Sequence, residues 1–134
     1  MALTMASFVA SLSAMSVTGV TRAYDYTPDQ LSTANMPSLF PRIPSQRNGI
    51  VTFTGVSGLD TVTVEMVAIV DATMQSTGEA NFGATVALVD NLNAALKTEM
   101  AANQQIDGWE MRTDYLDIGT AVYWAVIATV VGSE

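Results

Sequence analysis

The chain ends in the stretch TAVYWAVIATVV, residues 120–131, which carries apolar side chains at odd and even positions alike. β-Branched and aromatic residues of this kind favour a strand, and successive side chains of a strand point to opposite faces of a sheet. Ala125 and Ile127 therefore lie on one face. Val126 and Ala128 lie on the other. Since a sheet covered on one side normally shows a polar opposite face, this stretch predicts a strand that is buried on both.

Outward from this strand, the spacing of apolar residues predicts two helices and three further strands. The strands form two hairpins, so the expected fold is an α+β domain with a mainly antiparallel, four-stranded sheet. The 134 residues suit a single domain. The predicted elements are a helix over 2–15, strands over 50–54, 60–70 and 109–116, and a second helix that begins between 77 and 85 and is stopped by Gly108.

The second helix is expected to face the core with one apolar stripe. Its members are Phe82, Val86, Val89, Leu92, Leu96 and Met100. Two short helices leave little material to cover both faces of the sheet, which predicts that a neighbouring subunit covers one of them. The alternative is a monomer with one helix on each face.

A long proline-rich arm, residues 20–48, separates the first helix from the first hairpin. It contains all four prolines and three of the five cations, and proline denies regular ladder bonding. Its aromatic residues predict an ordered segment that docks on something, either a partner or its own domain. Because arginine and aromatic residues dominate interface hot spots, the predicted interface residues are Arg22, Tyr24, Tyr26, Met36, Phe40, Arg42, Arg47, Tyr123 and Trp124.

Charge is unevenly distributed along the chain, whose net charge is −8. Residues 1–58 carry three arginines against two acids, whereas residues 59–134 carry two cations against eleven acids. A protein that grips nucleic acid needs cations to neutralise phosphates, so specific DNA binding is not expected. No run of about 18 apolar residues suggests a transmembrane helix.

Residue types also limit the chemistry. Histidine and cysteine are absent and Lys97 is the single lysine, so no histidine-based triad or thiolate site can be assembled. The densest acids are Asp107, Glu110, Asp114 and Asp117. Of these, Asp114 and Asp117 have opposite parity on a strand, which favours solvated rim acids over a divalent-cation site.

The sequence therefore predicts neither an enzyme nor a cofactor or metal site. A second class stays open, a small-ligand-binding module. Its pocket would be lined by Trp109, Tyr115, Tyr123 and Trp124.

Three stretches resemble the small neck proteins of tailed bacteriophages with siphophage tails, in particular the tail-terminator family. The arm reads YDYTP at 24–28 and ANMPSLFP at 34–41, a short helix precedes it, and the final hairpin reads RTDY at 112–115 and YWAVI at 123–127. The resemblance is one of layout over most of the chain.

This resemblance implies a virion protein, assembled in the host cytoplasm, that forms a ring of typically six copies. Such a ring caps the tail tube, contacts the tail tube protein and the head connector, and lets DNA pass without specific binding. Residues 59–134, the acidic part of the chain, would then offer a surface to which phosphates do not adhere. Related alternatives are a head-completion or connector subunit and a tail-tube subunit.

Overall fold

The computed structural model describes residues 4–28, 31, 36–50, 58–72, 78–102, 105–118 and 121–133. Over these residues the chain is an α+β domain, as predicted. Its sheet has the strand order β1-β2-β3-β5-β4. In chain order the elements are α1 (Met5–Ser13), β1 (Arg22–Ala23), β2 (Ser38–Ile50), β3 (Gly58–Ala72), α2 (Gly78–Ala102), β4 (Ile106–Ile118) and β5 (Ala121–Ser133).

The predicted four-stranded, mainly antiparallel sheet is wrong in its number of strands, because the described residues form five strands. One of the four pairings is parallel. β1 pairs with the beginning of β2 in parallel, with Arg22 opposite Ser38 and Ala23 opposite Leu39. The other pairings are antiparallel. Because β3 and β4 both run antiparallel to β5, they point the same way, and α2 crosses over β5 to join them.

The predicted arm is also wrong in its second half, since residues 38–48 belong to β2. Proline is tolerated there because β2 lies at the border of the sheet, beyond which only the two-residue β1 follows. Pro44 falls where the register with β3 shifts, between Arg42 and Ser45. A missing N–H at such a bulge removes no ladder hydrogen bond. The predicted strand over 50–54 overlaps β2 at Ile50, and its remaining residues lie outside the described ones.

Both helices are shorter than predicted. At the start of α1, Thr4 accepts a hydrogen bond from the Ser7 backbone N–H at 3.1 Å, and Ser7 accepts one from the Thr4 N–H at 3.2 Å. This capping box fixes the first turn. The chain turns after α1 at Gly19, whose φ of +90° suits glycine. Gly108 does not stop α2, which ends at Ala102, but lies inside β4.

One face of the sheet, the helix face, packs against both helices. α1 contacts β2 and β3, and α2 contacts β3, β5 and β4. The strands contribute their even-numbered side chains from β3 and β5, such as Met66 and Ala128, which are fully buried. The helices contribute Phe8, Leu12, Leu88, Leu92, Ala95 and Leu96.

The opposite face, the arm face, is covered at one end by the chain's own arm. Tyr24, Leu31 and Met36 pack there over the odd-numbered side chains of β3 and β5 and over Phe40 of β2. As a result, Val67, Ile69, Phe40, Ala125 and Ile127 are no more than 1% exposed. Burial of β5 on both faces is thus confirmed. At this end of the sheet the cover is the arm and not a second helix.

Hydrogen bonds fasten the arm to β2. The Tyr24 N–H donates to the Leu39 carbonyl at 2.7 Å, and the Thr27 hydroxyl donates to the Pro41 carbonyl at 2.6 Å. The Thr21 hydroxyl donates to the Met36 carbonyl at 3.0 Å. The bonds to Leu39 and Pro41 satisfy carbonyls of β2 that would otherwise face water, so the arm and the sheet form one unit.

Two glycines test this packing. A Cβ at Gly132 would lie 2.7 Å from Phe8 Cζ and 3.0 Å from the Gln105 carbonyl oxygen, whereas a Cβ at Gly83 on α2 meets nothing within 4 Å. Because Phe8 is only 1% exposed, its ring cannot swing aside. Gly132→Ala should therefore lower the free energy of unfolding by about 1–3 kcal/mol. Gly83→Ala should raise it by about 0.5–1 kcal/mol through helix propensity. Urea unfolding followed by circular dichroism measures both, and equal effects would contradict the packing described here.

Candidate subunit interface

Four of the predicted interface residues lie inside a second core, the apolar cluster between the arm and the arm face of the sheet. Phe40 is fully buried, Tyr123 is 5% exposed and Tyr24 is 8% exposed. Met36 is partly buried against them. Their aromatic and apolar character therefore serves the attachment of the arm to the sheet. This is the alternative in which the arm folds onto its own domain.

Arg22 and Tyr26 lie at the surface of the arm. Tyr26 is 57% exposed, and its ring meets that of Tyr24 edge to face, with 5.6 Å between centroids. The Arg22 guanidinium lies 4.6 Å from the centroid of the Tyr24 ring, a cation–π distance. The buried Tyr24 thus holds both neighbours in place. Arg47 pairs through its backbone with Thr61, and its side chain lies outside the described ones.

Arg42 forms part of a charged row across the uncovered half of the arm face. Glu65 on β3 accepts from Arg42 on β2 at 2.7 Å and from Arg112 on β4 at 3.1 Å. Arg112 also donates to the Thr129 hydroxyl at 3.3 Å. The row joins four strands, and the Glu65 side chain is 14% exposed.

The environment of Glu65 acts on its pKa in two directions. Burial raises the pKa, while the hydrogen bonds from Arg42 and Arg112 and their positive charges lower it. The net pKa lies below the ordinary glutamate value. Glu65 is therefore ionised at neutral pH and holds the two arginines in position.

Trp124 lies half-buried on the helix face. Its indole N–H donates to the Thr85 hydroxyl, and its ring meets that of Tyr115 at 4.7 Å between centroids. The Trp109 indole N–H donates to the Asn93 side chain at 2.9 Å. Tyr123 points to the arm face. The four aromatic residues considered for a ligand pocket are therefore divided between two faces of the sheet and do not line one cavity.

Large apolar side chains are exposed along the flank of α2 that faces β4. The hydrogen bond between Asn93 and Trp109 identifies this flank. Phe82 and Val86 lie on the same side of the helix as Asn93, because their spacing from it is close to a whole number of helical turns. We define the apolar strip by its four most exposed members on α2, β4 and β5. They are Phe82 at 70%, Val86 at 47%, Tyr115 at 61% and Val122 at 41% exposed.

The predicted stripe of α2 is wrong for three of its six members, since Phe82, Val86 and Met100 are exposed. The side chains of α2 that pack on the sheet share Leu92 and Leu96 with the predicted stripe but otherwise lie to one side of it. They are Thr85, Leu88, Leu92, Ala95 and Leu96. The signal for the strip was thus present in the sequence as an apolar arc wider than one stripe.

β4 lies at the end of the sheet and carries four exposed acids. They are Asp107, Glu110, Asp114 and Asp117, which we call the acidic edge. In the register with β5, Glu110 lies opposite Thr129 and Asp114 opposite Ala125, so both belong to the arm face, while Asp117 lies opposite Val122 on the helix face. The prediction that Asp114 and Asp117 lie on opposite faces of the strand is therefore confirmed. Over the described residues, no group of three or more metal-ligating side chains converges.

Shallow hollows lie on the described part of the chain. One, of about 500 Å³, lies beside α1 and is bordered by Met5, Ala6, Val9, Ala10 and Asp25. Another, of about 280 Å³, lies between the arm and the end of β4, where Arg42 and Asp117 border it. Neither brings together groups that could perform a reaction. No helix among the described residues is long and apolar enough to cross a membrane.

No model of a known protein family matches the chain, and no curated protein is found to be related to it. The likeness to tail terminators stays a prediction from the residues quoted above.

Glu65→Gln tests the charged row. The change removes the charge from a carboxylate that holds two arginines, so the free energy of unfolding at neutral pH should fall by about 1–2 kcal/mol. Because the folded-state pKa of Glu65 is lowered, the wild-type advantage is complete above the ordinary glutamate value. It should fade as the pH falls through the lowered value.

Urea midpoints at a series of pH values measure this difference. Glu110→Gln, an exposed change of the same kind on β4, is the control and should shift stability by less than about 0.5 kcal/mol. A wild-type advantage that is equal at neutral pH and in strong acid would show that the row does not act through the Glu65 charge.

Proposed function

We propose that this protein is a structural, non-enzymatic subunit of a ring, and specifically a tail terminator at the head–tail junction of a tailed phage. The observation that carries the assembly is the apolar strip, whose four side chains are 41–70% exposed, two of them on α2 and two on the helix face of the sheet. Exposed apolar side chains grouped in this way are typical of interaction surfaces. The arm covers the apolar end of the other sheet face, so the strip is the exposed apolar surface that remains for a partner.

Residue content supports a structural role over catalysis. The full chain has no histidine and no cysteine, which removes the usual general base and thiolate nucleophile. The one described carboxylate with a lowered pKa, Glu65, is occupied by two arginines on an open sheet face. A carboxylate in that state is a poor proton acceptor at neutral pH, so it holds the sheet together instead.

The resemblance of the arm and the final hairpin to neck proteins supplies the specific role. In this role the ring ends the tail tube, contacts the tail tube protein on one side and the head connector on the other, and resides in the virion. The net charge of −8 supports passage of DNA without adhesion, since like charges repel at short range.

A polar replacement within the strip tests the assembly. Wild-type protein should elute as a closed oligomer, of about 85 kDa if six copies of 14.2 kDa assemble. The double variant Phe82→Ser with Val86→Ser should elute as a monomer, because it removes apolar surface that only a partner covers. Light scattering coupled to size-exclusion chromatography measures the mass.

The control is Ala87→Ser on the exposed side of α2, which should leave the mass unchanged. Thermal unfolding of all three proteins checks that the fold persists. Wild-type protein that stays monomeric at high concentration would refute the ring and with it the proposed function.

The specific role is tested with purified tail tubes. Labelled wild-type protein should bind one end of each tube in electron micrographs and should stop further addition of tube protein, because a terminator caps a growing end. The Phe82→Ser and Val86→Ser variant should do neither. Binding to the neck of DNA-filled heads alone would indicate a connector subunit instead, and polymerisation into tubes of unlimited length would indicate a tube subunit.

A further inference from the structure

The two edges of the sheet carry opposite charges. β4, the strand at one end, contains four acids and one arginine, a net charge of −3. The strands at the other end, β1 and β2, contain Arg22, Arg42 and Arg47 and no acid, a net charge of +3. We call these three arginines the basic edge.

The acidic edge is open to a partner along its whole length. β4 has 13 residues and no proline, and among the described residues its outer side pairs with no other strand. Long edge strands of this kind pair readily with another chain unless charge or proline prevents it. The apolar strip lies directly beside β4 on the helix face, so an approaching chain meets acids and exposed apolar side chains together.

The basic edge is built differently. Its backbone is partly occupied, since the arm bonds to the carbonyls of Pro37, Leu39 and Pro41. Pro41, Pro44 and a bulge interrupt the middle of β2. A partner strand therefore cannot extend a regular ladder along the whole of β2, and side chains must make part of the contact. Tyr26 is 57% exposed and contacts the same Tyr24 ring as Arg22. Its aromatic ring could pack against the apolar strip of another copy.

Charge decides which edges meet. Two acidic edges would bring −3 against −3, and like charges across a contact are destabilising. An acidic edge against a basic edge brings −3 against +3. A contact between two different edges of identical copies is head to tail, and it yields a ring when the rotation closes.

We infer that the acidic edge of one copy, with its apolar strip, docks on the basic edge and Tyr26 of the next copy. This inference rests on the proposed ring and states which surfaces form it. The occupant of the strip is therefore a second copy of this chain.

A charge exchange tests the contact. Variant A carries Glu110→Lys and Asp114→Lys on the acidic edge, and variant B carries Arg22→Glu and Arg47→Glu on the basic edge. Arg42 is left in place because it holds Glu65. Each variant alone faces like charge at every contact, so its concentration of half-assembly should rise about tenfold or more over wild type.

Mixing the two variants is the decisive step. In a mixture, the lysines of A meet the glutamates of B, and the acids of B meet the arginines of A. Equal amounts should therefore assemble again, with A and B alternating and an even number of copies in each ring. Native mass spectrometry measures the composition.

Asp90→Lys, an exposed change of the same sign on α2, is the control and should assemble like wild type. Recovery on mixing also excludes misfolding of A or B as the cause of their separate failure. If wild type assembles and B assembles equally well, or if the mixture does not recover, the edge contact is refuted while the ring survives. If wild type itself is monomeric, the proposed function fails first.

Discussion

The apolar side chains of β5 must be buried on both faces of the sheet. The arrangement of the helices and of the arm follows from this requirement. The side chains of β5 alternate between the faces, yet Ala125, Val126, Ile127 and Ala128 are all buried. Complete burial of a large aliphatic side chain is worth about 1.5–3 kcal/mol, so leaving either face open would cost much of the stability of a small domain. Both helices cover one face. The arm covers the apolar end of the other, and the charged row of Arg42, Glu65 and Arg112 begins where the arm ends.

This division gives the arm two roles. Its inner side chains, led by Tyr24, complete the second core. Its outer side chains, Arg22 and Tyr26, are held by contacts with the same Tyr24 ring. The surface of the arm is therefore anchored to the core beneath it. A contact segment fixed before binding loses less conformational freedom when a partner arrives, which favours its use as one side of an interface.

The sequence indicates the alternation in β5, the α+β class and most of the strands, because each depends on local periodicity. It misleads where two local patterns compete. α2 has apolar residues on two adjacent stripes, and only contact with the sheet decides that Leu88 and Leu92 face inward while Phe82 and Val86 face outward. The prolines of β2 disfavour a strand in the middle of a sheet. They are compatible with a strand near its border, and the sequence alone does not show that β2 lies there. The row around Glu65 depends on the register of four strands, which no single segment of sequence contains.

The separation of the two charged edges within one molecule bears on the proposed contact between copies. β2 and β4 are three strand spacings apart and β1 and β4 are four, which corresponds to about 14–19 Å at roughly 4.8 Å per spacing. The Debye length at physiological salt is about 8 Å, so the edges of one molecule hardly neutralise each other across the solvent. Two copies placed edge to edge bring the same charges within contact distance. In the proposed contact, the attraction between the two edges is therefore gained when a second copy supplies the opposite charge.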